Sequence, residues 1–150
     1  MLEDIYNYLK LSEFIGTSGQ PSEAQITEIA QAGYKLVINL ALSDTKHSLP
    51  DERLAVESHG MEYIHLPVIW ERPTVENLDA FCDVMDANRG KKIFVHCAAN
   101  MRVSAFMALY RIRRQGWKPE EAFRDMQRIW TPEGWWQEFI LAALADGGNV

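Results

Sequence analysis

The sequence predicts an α/β fold, a three-layer sandwich in which helices flank a mainly parallel four-stranded sheet. Short apolar runs alternate along the chain with segments whose apolar residues recur at helical spacing, a pattern typical of a parallel sheet covered by helices. The 150 residues and the hydrophobic fraction of 47 % suit one domain over residues 1–150. Such a domain can bury a core without metals or disulfides.

In the first part of the chain, residues 2–9 are predicted as a short helix and Glu13–Thr17 as a first strand. Ser22 begins the segment SEAQ, a capping box in which the serine and the glutamine bond each other's backbone amides. The helix that starts there is expected to end at Gly33. The continuous apolar run Lys35–Leu40 (KLVINL) predicts a buried second strand.

The middle of the chain predicts two further helix–strand pairs. Pro50–Ser58 is a weaker helix, followed by a third strand over Glu62–Val68 (EYIHLPV). Thr74 is a good N-cap for a helix that reaches about Asn88, and the fourth strand is Lys92–His96 (KIFVH).

Three helices are predicted after the fourth strand. The first begins directly at Arg102 and ends at Gln115, just before a glycine. Pro119 suits the first position of the next helix, which runs to about Trp130. The last helix covers 132–144.

Composition argues against several classes of partner. The net charge is −6 and the pI about 5.2, so the surface repels nucleic acid and anionic membranes. The four histidines have no metal-ligand spacing, so neither a metal nor another cofactor is predicted. No apolar run is long enough to span a bilayer, and the first residues lack the pattern of a signal peptide. A cytoplasmic protein without membrane or nucleic-acid partners is expected.

The most informative segment is a strand–loop–helix in which His96 and Cys97 follow the fourth strand. In open α/β sheets, ligands bind at the carboxyl ends of the strands, where Cys97 is expected. Unpaired amides and the dipole at a helix N-terminus bind phosphate or sulfate-like anions. The same field favours a nucleophilic thiolate, which points to nucleophilic catalysis by Cys97.

The residues after Cys97 fit an anion-binding loop. Ala98 and Ala99 are small, so the backbone can approach an anion closely, and Asn100 tolerates a left-handed backbone. Arg102 can hold two oxygens of a phosphate through its planar guanidinium. Ser104, on the first helical turn, is expected to hydrogen-bond the sulfur and improve it as a leaving group.

The segment HCAANMRVS resembles the HC(x)nR(S/T) signature of the protein-tyrosine and dual-specificity phosphatase superfamily. Four other segments agree with it: TSGQPS, GYKLVINL, YIHLPV and PTVENLDAFCDVM. Together they look most like the bacterial beta-lactamase-hydrolase-like phosphatase domains, over roughly residues 12–130. The resemblance implies a cysteine phosphatase-like fold.

The resemblance also implies a hydrolase for phosphoric monoesters that acts through a phosphocysteine, on a phosphorylated protein or small molecule. The amides of residues 98–102, Met101 included, would bind the phosphate, and His96 would orient the loop. The general acid would lie in the loop after the third strand, where Glu71 is the first candidate and Asp44, after the second strand, the other. Trp70 would line the mouth of the site.

Two other functions fit the same loop. The superfamily usually has five residues between Cys and Arg, whereas this chain has four, and Asn100 replaces the usual glycine. The shorter spacing also occurs in many rhodaneses, so the first alternative is a thiosulfate sulfurtransferase with a Cys97 persulfide. The second alternative is a regulatory protein that binds phosphate and has lost most of its catalysis.

Overall fold

The computed structural model describes residues 1–43 and 48–147. It contains the strands β1 (Leu9–Lys10), β2 (Ile15–Ser18), β3 (Leu36–Asn39), β4 (Glu62–His65) and β5 (Ile93–His96). The helices are α1 (Glu23–Gln31), α2 (Glu52–Glu57), α3 (Val75–Ala87), α4 (Met101–Gln115), α5 (Pro119–Gln127) and α6 (Trp135–Gly147), and a 3₁₀ turn covers Leu2–Asp4.

The strands form one sheet in the order β1-β2-β5-β3-β4. Strands β2, β5, β3 and β4 pair in parallel, and β1 pairs antiparallel with β2. The central position of β5 places its carboxyl end between the ends of β2 and β3. The loop that follows β5 therefore lies in the middle of the edge where ligands bind in such sheets.

Two apolar clusters, one on each face of the sheet, make the three-layer sandwich. Alternate residues of β3 point to opposite faces. Leu36 and Ile38 belong to the cluster that also contains residues of α3 to α6, whereas Val37 packs with Ile26 and Ile29 of α1. The predicted α/β sandwich with its mainly parallel sheet is confirmed.

The number of strands differs from the prediction, since the sheet has five strands and not four. The helix predicted over residues 2–9 stops after Asp4, because the backbone of Ile5 is extended, with ψ 138°. Asn7 then has a left-handed backbone with φ 51°, which a right-handed helix excludes. Leu9 then pairs with Thr17 as part of β1. A strand of two residues is too short to produce a period-2 pattern, so β1 could not be predicted from the sequence.

Local signals located most of the helices correctly. The Ser22 capping box is present, as is a second one in which Thr74 and Asn77 bond each other's amides. Pro119 is the first residue of α5, and α4 ends at Gln115, followed by Gly116 with φ 73° as its C-cap. Within the described residues, no helix is both long and apolar enough to cross a bilayer.

Candidate active site

Cys97 lies at the carboxyl end of the central strand. Strand β5 ends at His96 and α4 begins at Met101, so residues 97–100 form the intervening loop, which we call the Cys97 loop. The Cys97 side chain is almost fully buried, and its amide donates to the Ser18 carbonyl at 3.4 Å. The thiol is therefore fixed just before the N-terminus of a helix of 15 residues.

Asn100 closes the loop in a left-handed conformation. It is the N-cap of α4, and its φ of 64° agrees with the left-handed backbone expected for this residue. The buried side chain also donates two hydrogen bonds, to the Asn7 carbonyl at 2.9 Å and to Thr17 Oγ1 at 3.0 Å. Asn100 thus supplies the backbone shape and ties it to the N-terminal segment and β2.

Three consecutive carbonyls of the Cys97 loop accept hydrogen bonds from outside the loop. The Cys97 carbonyl faces His96 Nδ1 at 3.3 Å, and the Ala98 carbonyl accepts from the backbone N–H of Gln20 at 3.0 Å. The Ala99 carbonyl accepts from Asn7 Nδ2 at 2.9 Å. In a trans peptide the N–H points opposite to the carbonyl of the same plane. The amides of Ala98 and Ala99 therefore point away from His96 and Gln20.

The loop borders a cavity of ≈ 190 Å³. Its lining residues are Trp70, Cys97, Ala98, Ala99, Met101 and Arg102. Arg102 is only 8 % exposed, and its Nη1 donates to the Val68 carbonyl at 2.9 Å, which holds the guanidinium beside the loop. The first amides of α4 have no acceptor within the helix. The cavity thus brings together a thiol, a guanidinium and unpaired amides.

A buried acid, Glu52, contacts two residues that bond the Cys97 loop. His96 Nε2 lies 2.6 Å from Glu52 Oε2, and the other carboxylate oxygen accepts from Gln20 Nε2 at 2.9 Å. Burial alone would raise the pKa of Glu52, but the hydrogen bonds from His96 and Gln20 outweigh burial and lower it overall. The carboxylate is therefore ionised at neutral pH, in contact with a buried imidazole.

The loop after β4 is fixed by tryptophans of α6. The Trp70 carbonyl accepts from Trp136 Nε1 at 2.8 Å and from Trp135 Nε1 at 3.1 Å. The Trp70 ring packs against Trp130 and Trp136, with centroid distances of 5.5 Å to each. These contacts fix the position of the Trp70 side chain, which borders the cavity.

Comparison with known proteins assigns the fold and site to a family. Residues 7–135 match the profile of a family described as DSP-PTPase phosphatase fused to NAD+ kinase. The chain belongs to this phosphatase family. The assignment confirms the resemblance to the protein-tyrosine and dual-specificity phosphatase superfamily that the HCAANMRVS segment indicated.

Solved structures agree with the assignment. A candidate phosphatase (DUF442) from Shewanella putrefaciens CN-32 is 34 % identical, with a TM-score of 0.86 over 97 % of this chain and 95 % of that chain. TpbA from P. aeruginosa, in a complex with phosphotyrosine, is 22 % identical with a TM-score of 0.67. That match covers 81 % of this chain and 72 % of TpbA, and it shows a shared fold.

A curated relative also matches. The Beta-lactamase hydrolase-like protein of Xylella fastidiosa is 28 % identical over 102 residues, which are 66 % of this chain. The matched part is 23 % of the length of that protein, so the chain spans about a quarter of it. This relative bears the name of the bacterial group that the sequence resembles.

The acid candidates of this phosphatase-family chain lie apart from the cavity lining or outside the described residues. Glu71 follows Trp70 directly in the chain, in a turn where the Arg72 amide donates to the Ile69 carbonyl. Its side chain is exposed and is not among the residues that line the cavity. Asp44 lies outside the described residues. The general acid therefore stays a prediction.

Ser104 has other partners than the expected sulfur. Its hydroxyl donates to the Met101 carbonyl at 3.0 Å and accepts from Trp130 Nε1 at 3.1 Å. It lines a small cavity on the side of Leu9 and Thr17. Bonding to Cys97 would require the Ser104 hydroxyl to give up the Met101 carbonyl, so its role as a donor to the leaving sulfur is a prediction that this rotamer does not display.

Three residues of the site were not singled out from the sequence: Asn7, Gln20 and Glu52. Gln20 lies in the TSGQPS segment, whose resemblance to the superfamily was the only available signal. Glu52 is one helical turn before the buried Val56, so it lies on the apolar face of its helix, and this pattern could have indicated a buried acid with a specific partner. Among the described residues, no cluster of acids, histidines or cysteines is suited to a metal ion.

Proposed function

We propose that this chain is a cysteine-dependent phosphoric monoester hydrolase that forms a phosphocysteine at Cys97. The observation that carries the proposal is the single cavity shared by Cys97, Arg102 and the small residues of the loop, at the N-terminus of α4. A helix N-terminus stabilises anions, including a thiolate and a phosphate. Membership of the phosphatase family supports the same chemistry.

In the first step, the Cys97 thiolate attacks phosphorus, so that an S–P bond forms as the P–O bond to the leaving group breaks. Arg102 and the amides of Ala98 and Ala99 stabilise the charge on the remaining phosphoryl oxygens. Glu71 donates a proton to the leaving oxygen, which would otherwise depart as a poorly stabilised alkoxide. Because Glu71 is exposed and does not line the cavity, a movement of its side chain toward the cavity is part of this proposal.

In the second step, water attacks phosphorus and the S–P bond breaks. Inorganic phosphate leaves and Cys97 returns to the thiolate. Glu71, now ionised, takes the proton from the attacking water, and Ser104 would stabilise the departing sulfur after a change of rotamer.

We propose aryl phosphates, including phosphotyrosine, as the substrate class. Trp70 borders the cavity beside the thiol, and its ring can stack on the aromatic leaving group. The related fold of TpbA has been captured with phosphotyrosine, which supports this choice by analogy.

The test is release of p-nitrophenol from p-nitrophenyl phosphate, with thiosulfate plus cyanide assayed in parallel. Cys97→Ser is expected to abolish release, and Cys82→Ser, a buried thiol in the core, is the matched control that retains it. Thiocyanate formation without phosphate release would contradict the proposal and favour the sulfurtransferase. Phosphate binding without either activity would favour the regulatory alternative.

The role of Glu71 has its own test. Glu71→Gln is expected to lower kcat about 10²- to 10⁴-fold for phenyl phosphate, whose leaving oxygen needs a proton, and much less for p-nitrophenyl phosphate, whose leaving group needs little protonation. Glu13→Gln is the control, because Glu13 is an exposed acid just before the amino end of β2, whereas the Cys97 loop lies at the carboxyl end of β5. An equal loss for both substrates would contradict the assignment of Glu71 as general acid.

A further inference from the structure

We propose that Glu52 is a positioning residue that, through His96 and Gln20, turns two carbonyls of the Cys97 loop away from the anion cavity. The inference rests on the proposed function, because it assumes that this cavity binds a phosphoryl group. It assigns a role to a residue of α2, which is distant in sequence from the loop.

The two oxygens of Glu52 bind two different partners. Oε2 lies 2.6 Å from His96 Nε2, and Oε1 accepts from Gln20 Nε2 at 2.9 Å. The carboxylate is 6 % exposed and His96 is fully buried, so water does not compete for these contacts. One buried acid therefore fixes both His96 and Gln20, which in turn bond carbonyls of the loop.

Each partner reaches one carbonyl of the loop. His96 Nδ1 lies 3.3 Å from the Cys97 carbonyl, and the backbone N–H of Gln20, whose side chain binds Glu52, donates to the Ala98 carbonyl at 3.0 Å. Since each carbonyl shares its peptide plane with the next amide, fixing these carbonyls fixes the amides of Ala98 and Ala99 in the opposite direction. A carbonyl rotated into the cavity would instead repel a phosphoryl oxygen.

The carboxylate form of Glu52 suits its two contacts. His96 Nε2 lies against Oε2 and Gln20 Nε2 donates to Oε1, so each partner faces a separate acceptor oxygen. A glutamine at position 52 has one oxygen and presents an amino group to the other partner. Glu52→Gln therefore removes the oxygen that faces either His96 or Gln20.

The experiment compares Glu52→Gln with Glu57→Gln, a variant of an exposed acid on the same helix. Binding of inorganic phosphate is measured by calorimetry, and kcat and KM by hydrolysis of p-nitrophenyl phosphate. We expect Glu52→Gln to weaken phosphate binding and to lower kcat/KM about 10- to 100-fold, because misplaced loop amides no longer donate to the phosphoryl oxygens in good geometry. Glu57→Gln is expected to match the wild type.

Two further variants separate positioning from general stability. The loss of kcat/KM in the double variant of His96→Asn and Glu52→Gln should be smaller than the product of the two single losses, because Glu52 acts in part through His96. Additive losses would overturn the proposal, and so would phosphate affinity within twofold of the wild type in a folded Glu52→Gln variant. If Glu52→Gln does not fold, Gln20→Ala decides, because it removes the side-chain contact to Glu52 and keeps the backbone N–H that bonds the Ala98 carbonyl. An affinity loss of about 2- to 10-fold supports the proposal, and no loss overturns it.

The outcomes also distinguish this inference from the proposed function. A wild-type chain that binds phosphate but hydrolyses no ester contradicts the hydrolase proposal, and the phosphate affinities of the variants still decide the role of Glu52. A wild-type chain that binds no phosphate contradicts both proposals.

Discussion

Replacement of Asn100 is the most informative single perturbation of the Cys97 loop. Asn100→Gly keeps the freedom to adopt a left-handed backbone but removes the side chain, whereas Asn100→Ala removes the side chain and retains a Cβ. We expect both variants to be less stable than the wild type and to bind phosphate more weakly, and alanine to be the worse of the two.

The magnitudes follow from the contacts of this buried side chain. Its Nδ2 donates to the Asn7 carbonyl at 2.9 Å and to Thr17 Oγ1 at 3.0 Å, and each bond contributes about 0.5–1.5 kcal/mol. Its Oδ1 is buried without a partner among the described residues, so its removal offsets part of the loss. Asn100→Gly should therefore cost about 2 kcal/mol. Alanine at φ 64° adds left-handed strain of about 1–2 kcal/mol.

The assay is urea unfolding at pH 7 followed by far-UV circular dichroism, with the free energy of unfolding extrapolated to zero denaturant. Thr17→Ser is the control, since it keeps the hydroxyl that accepts from Asn100 and should change the free energy of unfolding by less than about 1 kcal/mol. A glycine variant as stable as the wild type would refute the claim that the side-chain bonds hold the loop. Equal stability of the glycine and alanine variants would refute the claim of backbone strain.

Three further predictions concern groups around the site. Burial raises the pKa of Cys82 to about 11, so iodoacetamide at pH 8 should leave Cys82 unmodified in the folded protein, as peptide mass spectrometry can check. The pKa of Glu52 is lowered below its ordinary 4.5, so its stability contribution is present above that value and is lost as pH falls through the folded pKa. Urea unfolding at pH 7 and pH 3 should therefore show a larger acid loss for the wild type than for Glu52→Gln, and an equal loss would contradict this. Trp136→Phe should cost about 2–3 kcal/mol, because it opens core space and removes one bond to the Trp70 carbonyl. Trp135→Phe should cost under about 1 kcal/mol, since Trp135 is half exposed, and a reversed order in thermal unfolding would refute the assignment.

The Cys97 loop is held by segments from distant parts of the chain. Asn7, before β1, bonds the Ala99 carbonyl, and Asn100 bonds the Asn7 carbonyl in return. Glu52 of α2 binds His96, the residue that precedes the loop. Four residues between cysteine and arginine are too few to fix their own carbonyls, so the direction of the loop amides depends on these neighbours.

The sequence by itself determined the elements whose signals are local. The Ser22 capping box starts α1, Pro119 starts α5, and the continuous apolar run of β3 marks a strand buried on both faces. Each depends on residues within a few positions of one another, where chain geometry alone fixes the contact. The spacing of Cys97 and Arg102 is local in the same sense, and it predicted the side chains that the structure brings to one cavity.

The tertiary structure decided which groups complete the site. Asn7 and Asn100 are 93 residues apart, and Glu52 and His96 are 44 apart. No periodicity or motif connects such pairs, because their contact depends on the strand order that places β5 between β2 and β3. The two-residue strand β1 likewise exists only because β2 offers it an edge. Local chemistry thus set the reactive loop, and the packing of distant segments set the direction of its carbonyls and amides.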